Sequence, residues 1–107
     1  MIYIKFNYNN NNILGYTLKG HANSGEYGKD IVCAGVSALA INATNSLTEI
    51  AKVIPKVVND NEQGGFLSVE LNKVDASIPE VKTILDSFKL GISEIEKEYN
   101  DYIKIKK

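Results

Sequence analysis

The chain has 107 residues, a formal net charge of −1 at pH 7, 44% apolar residues and 23% charged residues. These values are ordinary for one globular domain and leave little room for a second. All 12 basic residues are lysine, and they are scattered along the chain until a C-terminal cluster. Because arginine, the residue best suited to phosphate and guanine contacts, is absent, the composition argues against direct nucleic-acid binding.

The counts of cysteine and histidine exclude several kinds of site. A single cysteine excludes an internal disulfide and a thiolate zinc cage, and a single histidine excludes a multi-histidine metal site. We therefore expect no metal. No apolar run approaches the ~18 residues that a membrane span needs. Residues 1–6 alternate in polarity, unlike a signal peptide. The sequence thus predicts a cytoplasmic protein.

Taken in chain order, the first predicted element is a β-hairpin. Alternate residues from Ile2 to Tyr8 are apolar, as in a half-buried strand, and the alternation returns between Leu14 and Leu18. The asparagines at 9–12 are typical of a turn, since Asn tolerates positive φ. The first 19 residues are therefore interpreted as two paired strands.

The first predicted helix follows a glycine-rich segment, residues 20–29. Asp30 stands just ahead of the helix and is its predicted N-cap. We expect the helix to end near Ala51, before Pro55. Its core-facing side is indicated by one apolar stripe at helical spacing. The stripe consists of Val32, Val36, Leu39, Ala43 and Leu47.

A second hairpin is predicted around the turn sequence of residues 60–65, which ends in Gly64 and Gly65. One strand is expected near residues 56–59. The partner strand is expected over residues 66–71, where apolar side chains recur.

A long amphipathic helix and a short strand complete the chain. Ser77 and Glu80 form a capping-box pattern at the helix start, and Pro79 suits the first turn. The strand is expected over residues 102–105. The order β-β-α-β-β-α-β, without a break in composition, predicts a single α+β domain over residues 1–107. In that domain, two helices pack on a largely antiparallel sheet.

His21 and Cys33 are the candidate catalytic pair. If Asp30 caps the helix, Cys33 lies in the first turn, where unsatisfied N–H groups and the helix dipole stabilise a thiolate. His21 ends the second strand. The eleven residues between it and Cys33 include Gly25 and Gly28, so the connection can return the imidazole to the thiol. N–H groups at the helix start would hold the oxyanion of an acyl-transfer intermediate.

The residues alone leave structural interpretations open. A buried cysteine is more often a small core residue than a nucleophile. Asp30 suits an N-cap better than a third catalytic role, and its charge opposes a nearby thiolate. Ser37 lies one turn beyond Cys33, where a hydroxyl by default bonds its own helix. Gly25 and Gly28 either form simple turns or hinge a loop that gates a substrate.

The segment from Gly20 to Ser37 resembles the signature of the ribosomal-processing cysteine protease family, known as Prp. The matching runs are Gly-His-Ala, Gly-Glu-Tyr-Gly and Asp-Ile-Val-Cys-Ala-Gly-Val-Ser, in this order and with matching spacing. The Gly64–Gly65 hairpin and the ending Glu-Lys-Glu-Tyr of residues 96–99 are also similar to that family. The resemblance therefore covers nearly the whole chain.

The resemblance implies a peptidase that removes a short N-terminal extension from large-subunit ribosomal protein twenty-seven, after a paired-aromatic recognition sequence. It implies Cys33 as the nucleophile, His21 as the general base, a homodimer, and neither a metal nor an organic cofactor. The residues that it assigns to the substrate loop or to support of the site are Gly20, Ala22, Gly25, Gly28, Asp30, Ala34 and Ser37.

Two other functions compete with this one. A non-enzymatic module that binds a ribosomal or assembly protein would use hairpin edges and amphipathic helix faces, with Cys33 as a structural residue. A redox sensor would form a sulfenate at Cys33, but the chain lacks a second cysteine to resolve it. Thiol reactivity separates an enzyme from a binding module, since an activated cysteine reacts rapidly with iodoacetamide near neutral pH and a structural one slowly.

Overall fold

A computed structural model describes residues 1–21 and 27–106, and of residues 27–29 and 63 the backbone alone. The strands are β1 (Ile2–Asn9), β2 (Asn12–Lys19), β3 (Lys56–Asp60), β4 (Phe66–Glu70) and β5 (Ile103–Lys106). The helices are α1 (Tyr27–Glu49), the single-turn α2 (Lys73–Ala76) and α3 (Pro79–Glu98). A 3-10 turn, Glu62–Gly64, joins β3 to β4. The predicted order is confirmed, with α2 added.

The five strands form one sheet in the order β3-β4-β2-β1-β5. The pairs β3–β4, β4–β2 and β2–β1 are antiparallel, and β5 joins β1 in parallel. The predicted α+β domain with a largely antiparallel sheet is therefore confirmed. β3 and β5 are the two edge strands, and the hairpin β1–β2 lies at the centre.

Helices α1 and α3 cover one face of the sheet, and the other face is open to solvent. Along β1, Ile2 and Ile4 are buried while Tyr3 and Lys5 are exposed, since successive strand side chains point to opposite faces. Asp30–Glu49 of α1 is long and apolar enough to span a membrane, with a mean hydropathy of 1.4. The same stretch supplies the core stripe, as the central helix of a globular domain does. Buried residues of the two helices include Val32, Val36, Ala43, Leu47, Val81, Leu85, Phe88 and Ile92.

A buried tyrosine ties the central hairpin to both helices. The ring of Tyr16 lies 4.5 Å from that of Phe88, centroid to centroid. The Thr44 hydroxyl donates its one proton to the Ala40 carbonyl oxygen at 2.7 Å. In the 2.5 Å hydrogen bond between the Tyr16 hydroxyl and Thr44 Oγ1, Tyr16 is therefore the donor. Burial raises the pKa of Tyr16 to about 12, so this hydroxyl stays protonated at neutral pH.

Two predicted helix starts are wrong. Helix α1 begins at Tyr27, so Asp30 lies inside the first turn and is not the N-cap; its carboxylate there still complements the helix dipole. The N-cap of α3 is Ile78, which makes no side-chain cap bond. The capping box fails because Ser77 is the C-cap of the additional turn α2, and its hydroxyl donates to the Val74 carbonyl oxygen at 2.7 Å.

Candidate active site

The turn after β2 fixes the position of His21. Strand β2 ends at Lys19, and Gly20 follows with a φ of +86°, a left-handed value that glycine adopts without a side-chain clash. A Cβ on Gly20 would lie 2.7 Å from the carbonyl oxygen of Met1, so only glycine fits here. The Gly20 N–H donates to the Gly65 carbonyl oxygen at 3.0 Å. His21 therefore leaves the sheet from a point that two neighbouring strands hold in place.

Cys33 lies against the same turn. It is on the buried side of α1, with 7% of its surface exposed. Its Sγ lies 3.9 Å from the carbonyl oxygen of Gly20, a long S–H···O contact. The fold therefore brings the predicted nucleophile against Gly20, the residue that immediately precedes the predicted base, His21. The sequence separates the two by eleven residues, 22 to 32.

The helix start supports Cys33 less than the sequence predicted. Cys33 comes six residues after Tyr27, the first residue of α1, which corresponds to about 9 Å along a helix axis. The unsatisfied N–H groups belong to the first turn, and the effect of the dipole fades within that turn. The predicted first-turn position of Cys33 is therefore wrong, because α1 begins before Asp30. Little thiolate stabilisation can come from the helix end.

His21 is half-buried, and its environment favours the neutral imidazole. Desolvation lowers the pKa of His21 below its usual value of 6.5. The Nδ1 atom is buried and makes no hydrogen bond with the part of the chain that the structure describes. A neutral imidazole near pH 7 has one nitrogen that can accept a proton. The site thus contains a group with the protonation state of a general base.

A groove of about 450 Å³ opens beside His21, between α1 and the hairpin β3–β4. On α1 the lining side chains recur every four residues, which places them on one side of the helix. On the hairpin, Asn59 pairs with Leu67 and Val57 with Val69, so these side chains share the face that α1 covers. Besides His21, the residues that line the groove include Ser37, Ile41, Asn45, Val57, Asn59 and Leu67.

The outer border of the groove is the edge strand β3. All five of its residues are exposed, and β4 is its neighbour in the sheet. An edge strand presents a row of N–H and C=O groups to which an extended peptide can pair. Because side chains alternate between faces, a peptide beside β3 would direct every second side chain into the groove. Two apolar groove residues are well exposed, Ile41 at 60% and Val57 at 44%.

The other predicted site residues lie in different surroundings. Ser37 lines the groove, one turn of α1 beyond Cys33. Gly28 and Asp30 lie in the first turn of α1, and Asp30 is exposed. Ala34 is exposed as well. The predicted residues outside the described part of the chain are Ala22 and Gly25.

Sequence reasoning missed most of the groove. On α1, Ser37, Ile41 and Asn45 form a second stripe beside the buried one, and their regular spacing of four was the available signal. On the hairpin, Val57 and Asn59 carry no comparable signal. Their exposure depends on the edge position of β3, which is decided by pairing between distant parts of the chain.

Comparison with known proteins identifies close relatives in sequence. The model of the family described as "Cysteine protease Prp" matches residues 1–104. The chain is 35% identical to the ribosomal processing cysteine protease Prp of Staphylococcus aureus over 88 residues, which are 82% of this chain and 80% of that protein. It is 30% identical to the Prp of Bacillus subtilis over 97 residues, which are 87% of this chain and 84% of that protein.

Solved structures agree with the sequence comparison. A Streptococcus mutans protein of 33% identity superposes with a TM-score of 0.94, covering 99% of this chain and 92% of that chain. The S. aureus Prp in complex with a covalently linked product peptide, at 31% identity, gives a TM-score of 0.83 with 98% and 97% coverage. The same protease with a substrate peptide gives 29% identity and a TM-score of 0.79, with 99% and 98% coverage.

Proposed function

Since this chain belongs to the ribosomal-processing cysteine protease family, Prp, we propose that it removes the N-terminal extension of large-subunit ribosomal protein twenty-seven, with Cys33 as nucleophile and His21 as general base. The observation that carries this proposal is the 3.9 Å approach of Cys33 Sγ to the Gly20 carbonyl oxygen. That contact places the thiol beside the residue that precedes His21. The groove beside His21 offers a place for the peptide.

The proposed chemistry is acyl transfer through a thioester. His21 takes the proton of the Cys33 thiol while sulfur bonds to the scissile carbonyl carbon, whose C=O electron pair moves to oxygen. The tetrahedral intermediate then collapses, the C–N bond breaks, and the leaving amine takes the proton from the imidazolium. In the second half, His21 takes a proton from water as the oxygen attacks the thioester carbon. The second tetrahedral intermediate collapses, the C–S bond breaks, and the new carboxyl end of the peptide is released. The proton on His21 returns to Sγ, and the enzyme is regenerated.

Activation of the thiol rests on His21 in this scheme. Desolvation lowers the pKa of His21, so the imidazole is neutral and can accept a proton near pH 7. Cys33 is buried and lies beyond the first turn of α1. In this scheme the proton therefore passes from the thiol to the imidazole as sulfur attacks.

The groove fits an extended peptide with apolar side chains. A substrate strand beside β3 gains backbone hydrogen bonds along the exposed edge. Its alternate side chains bury the exposed surfaces of Ile41 and Val57, and each 40 Å² of apolar surface removed from water contributes about 1 kcal/mol. The S. aureus relatives hold a substrate peptide and a covalently linked product peptide in the same fold, which supports a peptide site here.

The proposal also includes the assembly and the location of the enzyme. We propose a homodimer that acts in the cytoplasm, where ribosomal proteins are made. Sedimentation equilibrium checks the assembly, because a dimer has twice the 11.8 kDa mass of the chain. A monomeric mass at micromolar concentration contradicts the dimer without touching the peptidase activity.

The function is tested with a synthetic peptide that spans the N-terminal extension of the ribosomal protein. Mass spectrometry follows the peptide after incubation with wild type, Cys33→Ala, His21→Asn, and the control Ser87→Ala on the exposed side of α3. We expect one cut by wild type and by the control, and none by Cys33→Ala. His21→Asn should fold normally and lose at least 100-fold in rate, about the contribution of a positioned general base.

Each outcome decides one part of the proposal. A His21→Asn variant that keeps most of its activity contradicts the dyad, and cleavage by Cys33→Ala contradicts the nucleophile. If wild type binds the peptide and leaves it intact, the proposed substrate is wrong and the binding-module alternative gains support. In that case the iodoacetamide reaction of Cys33 shows whether the thiol is activated, since a structural cysteine reacts slowly.

A further inference from the structure

The open face of the sheet gathers lysines that the sequence keeps apart. In the strand register, Tyr3 of β1 lies between Lys104 of β5 and Lys19 of β2, and Lys19 pairs in turn with Phe66 of β4. Residues opposite each other in adjacent strands point to the same face. One row across four strands therefore reads lysine, aromatic, lysine, aromatic. The expectation that the lysines are scattered holds for the chain and not for the folded sheet.

A second row adds charge next to the first. Lys5 of β1 pairs with Lys106 of β5 and with Thr17 of β2. The two rows are two residues apart along each strand, about 7 Å. A recess of about 300 Å³ lies on this face, and its lining includes Tyr3, Lys5, Thr17, Lys19 and Lys106. We call these residues, together with Lys104 and Phe66, the basic face.

Three of the four strands that carry the basic face have no acidic residue. The sequences of β1, β2 and β5 contain no Asp or Glu, although the whole chain has a net charge of −1. The acidic residues of the sheet are Asp60 on the edge strand β3 and Glu70 on β4. Asp60 pairs with Phe66, and Asp60 and Glu62 line a neighbouring recess together with Lys19. The four lysines of the basic face, Lys5, Lys19, Lys104 and Lys106, are all exposed. The excess of positive charge therefore lies along β1 and β5, where Lys5, Lys104 and Lys106 are adjacent, and it favours a polyanion as the partner.

Two aromatic rings narrow the choice of polyanion. Tyr3 is 38% exposed, and the Lys106 ammonium lies 4.5 Å from the centre of its ring. The Lys19 ammonium lies 6.0 Å from the ring of Phe66. Each ring thus has a cation beside it on a flexible stem. A base can stack on the ring while the lysine moves to the adjacent phosphate. The two rings are two strands apart, about 10 Å.

We propose that the basic face binds single-stranded RNA, with bases on Tyr3 and Phe66 and phosphates on the four lysines. A flat sheet with exposed rings suits unpaired bases, whose faces are accessible, and does not suit the closed stack of a duplex. The peptide groove lies on the helix-covered face at the β3 edge, whereas the basic face lies on the opposite side of the sheet. RNA and peptide can therefore be bound at the same time, and this proposal does not depend on the proposed function.

The test is fluorescence anisotropy with a labelled 12-nucleotide oligouridylate, titrated with the full chain between 25 and 200 mM salt. For single strands, log K falls against log salt with a slope of about −0.7 per phosphate contact, so four lysines give about −2.8. Lys5→Gln/Lys106→Gln should reduce that slope to about −1.4. Tyr3→Thr and Phe66→Thr should each weaken binding by about 5-fold to 150-fold and leave the slope unchanged, since stacking is not ionic.

Matched controls make the result decisive. Lys82→Gln/Lys97→Gln removes two exposed lysines of α3, and Tyr99→Thr removes a tyrosine that is 39% exposed. These controls should leave affinity and slope at the wild-type values. Equal losses in the control and test variants overturn the proposal, as does duplex RNA that binds as tightly as the single strand. Absence of oligouridylate binding at 25 mM salt also overturns it. The lysine variants replace one exposed polar side chain with another and should stay folded. They therefore still test RNA binding if a Tyr3 or Phe66 variant unfolds.

Discussion

The central hairpin β1–β2 and the edge hairpin β3–β4 differ in how far the helices cover them. In β1 and β2 the inward side chains are buried, and Ile2, Tyr16 and Leu18 are 0% exposed. In β3 all five residues are exposed, including Val57, which faces α1 across the groove. The central hairpin therefore contributes stability and holds Gly20 and His21, while the edge hairpin leaves apolar surface for a ligand. Substitutions can separate these two roles.

The largest expected effect is on stability, at the middle of the central hairpin. Tyr16→Ala removes a fully buried ring that packs on Phe88 and a hydroxyl that bonds Thr44. We expect a loss of about 3–5 kcal/mol in the free energy of unfolding, as for other large aromatic residues cut to alanine. Urea denaturation followed by circular dichroism measures it. This loss is a large part of the stability of an ordinary domain.

Tyr16→Phe is the matched control for that measurement. It keeps the ring and removes one hydrogen bond, and the Thr44 hydroxyl keeps its bond to the Ala40 carbonyl oxygen. We expect a cost of about 0.5–1.5 kcal/mol. If Tyr16→Ala is as stable as Tyr16→Phe, the buried ring contributes little to the free energy of unfolding. The central and edge hairpins would then differ less in their contribution to stability than their burial indicates.

An intermediate effect is expected on peptide cleavage, at the edge hairpin. Val57 and Val58 are neighbours in β3 and are 44% and 46% exposed, but they point to opposite faces of the sheet. Val57→Asp puts a charge into the apolar part of the groove. The substrate side chain then loses about 1.4 kcal/mol of apolar burial against this position, which lowers kcat/KM about 10-fold. Val58→Asp should leave kcat/KM unchanged.

The comparison of Val57→Asp with Val58→Asp requires that both variants keep the stability of the wild type. Both substitutions are at exposed positions, so each should change the free energy of unfolding by less than about 0.5 kcal/mol. If the two aspartates lower kcat/KM equally, the groove between α1 and β3 is not the peptide site. If only Val58→Asp lowers it, the peptide lies on the open face.

The contrast between the hairpins also explains what the sequence could predict. Local patterns sufficed for the strands, for the turn at Asn10 with its φ of +56°, and for the stripe of α1, because propensity and periodicity act over a few residues. The pairing of His21 with Cys33 is a prediction from residue types and from the family resemblance. The contact of Cys33 with Gly20 was not predicted, because the glycine-only turn packed on Met1 brings together residues far apart in sequence.

The helix boundaries and the surfaces could not be predicted in the same way. The start of α1 at Tyr27 and the additional turn α2 depend on which of several neighbouring polar residues caps each helix. Tertiary packing selects one of these residues. The groove and the basic face depend on strand order and register. Lys19 and Lys104 are 85 positions apart in sequence, and each lies beside Tyr3 only because β2 and β5 flank β1.

The smallest expected effect concerns pH, and it tests the base that the central hairpin positions. Because burial lowers the pKa of His21 below 6.5, the base stays neutral at pH values where an exposed histidine is already protonated. The acid limb of kcat/KM, which reports the free enzyme, should have its midpoint below pH 6.5. Hydrolysis of the synthetic peptide between pH 4.5 and 8 gives this profile.

Folding stability should show the same titration with the same sign. The pKa of His21 is lower in the folded chain than in the unfolded one, so the unfolded chain binds the proton first as the pH falls. The contribution of neutral His21 is fully present above pH 6.5 and is lost as the pH falls through the folded pKa. His21→Asn removes this component from the pH dependence of the melting temperature. An acid limb centred above pH 6.5 would mean that His21 of the free enzyme takes up its proton more readily than an exposed histidine, which contradicts a base whose pKa is lowered by desolvation.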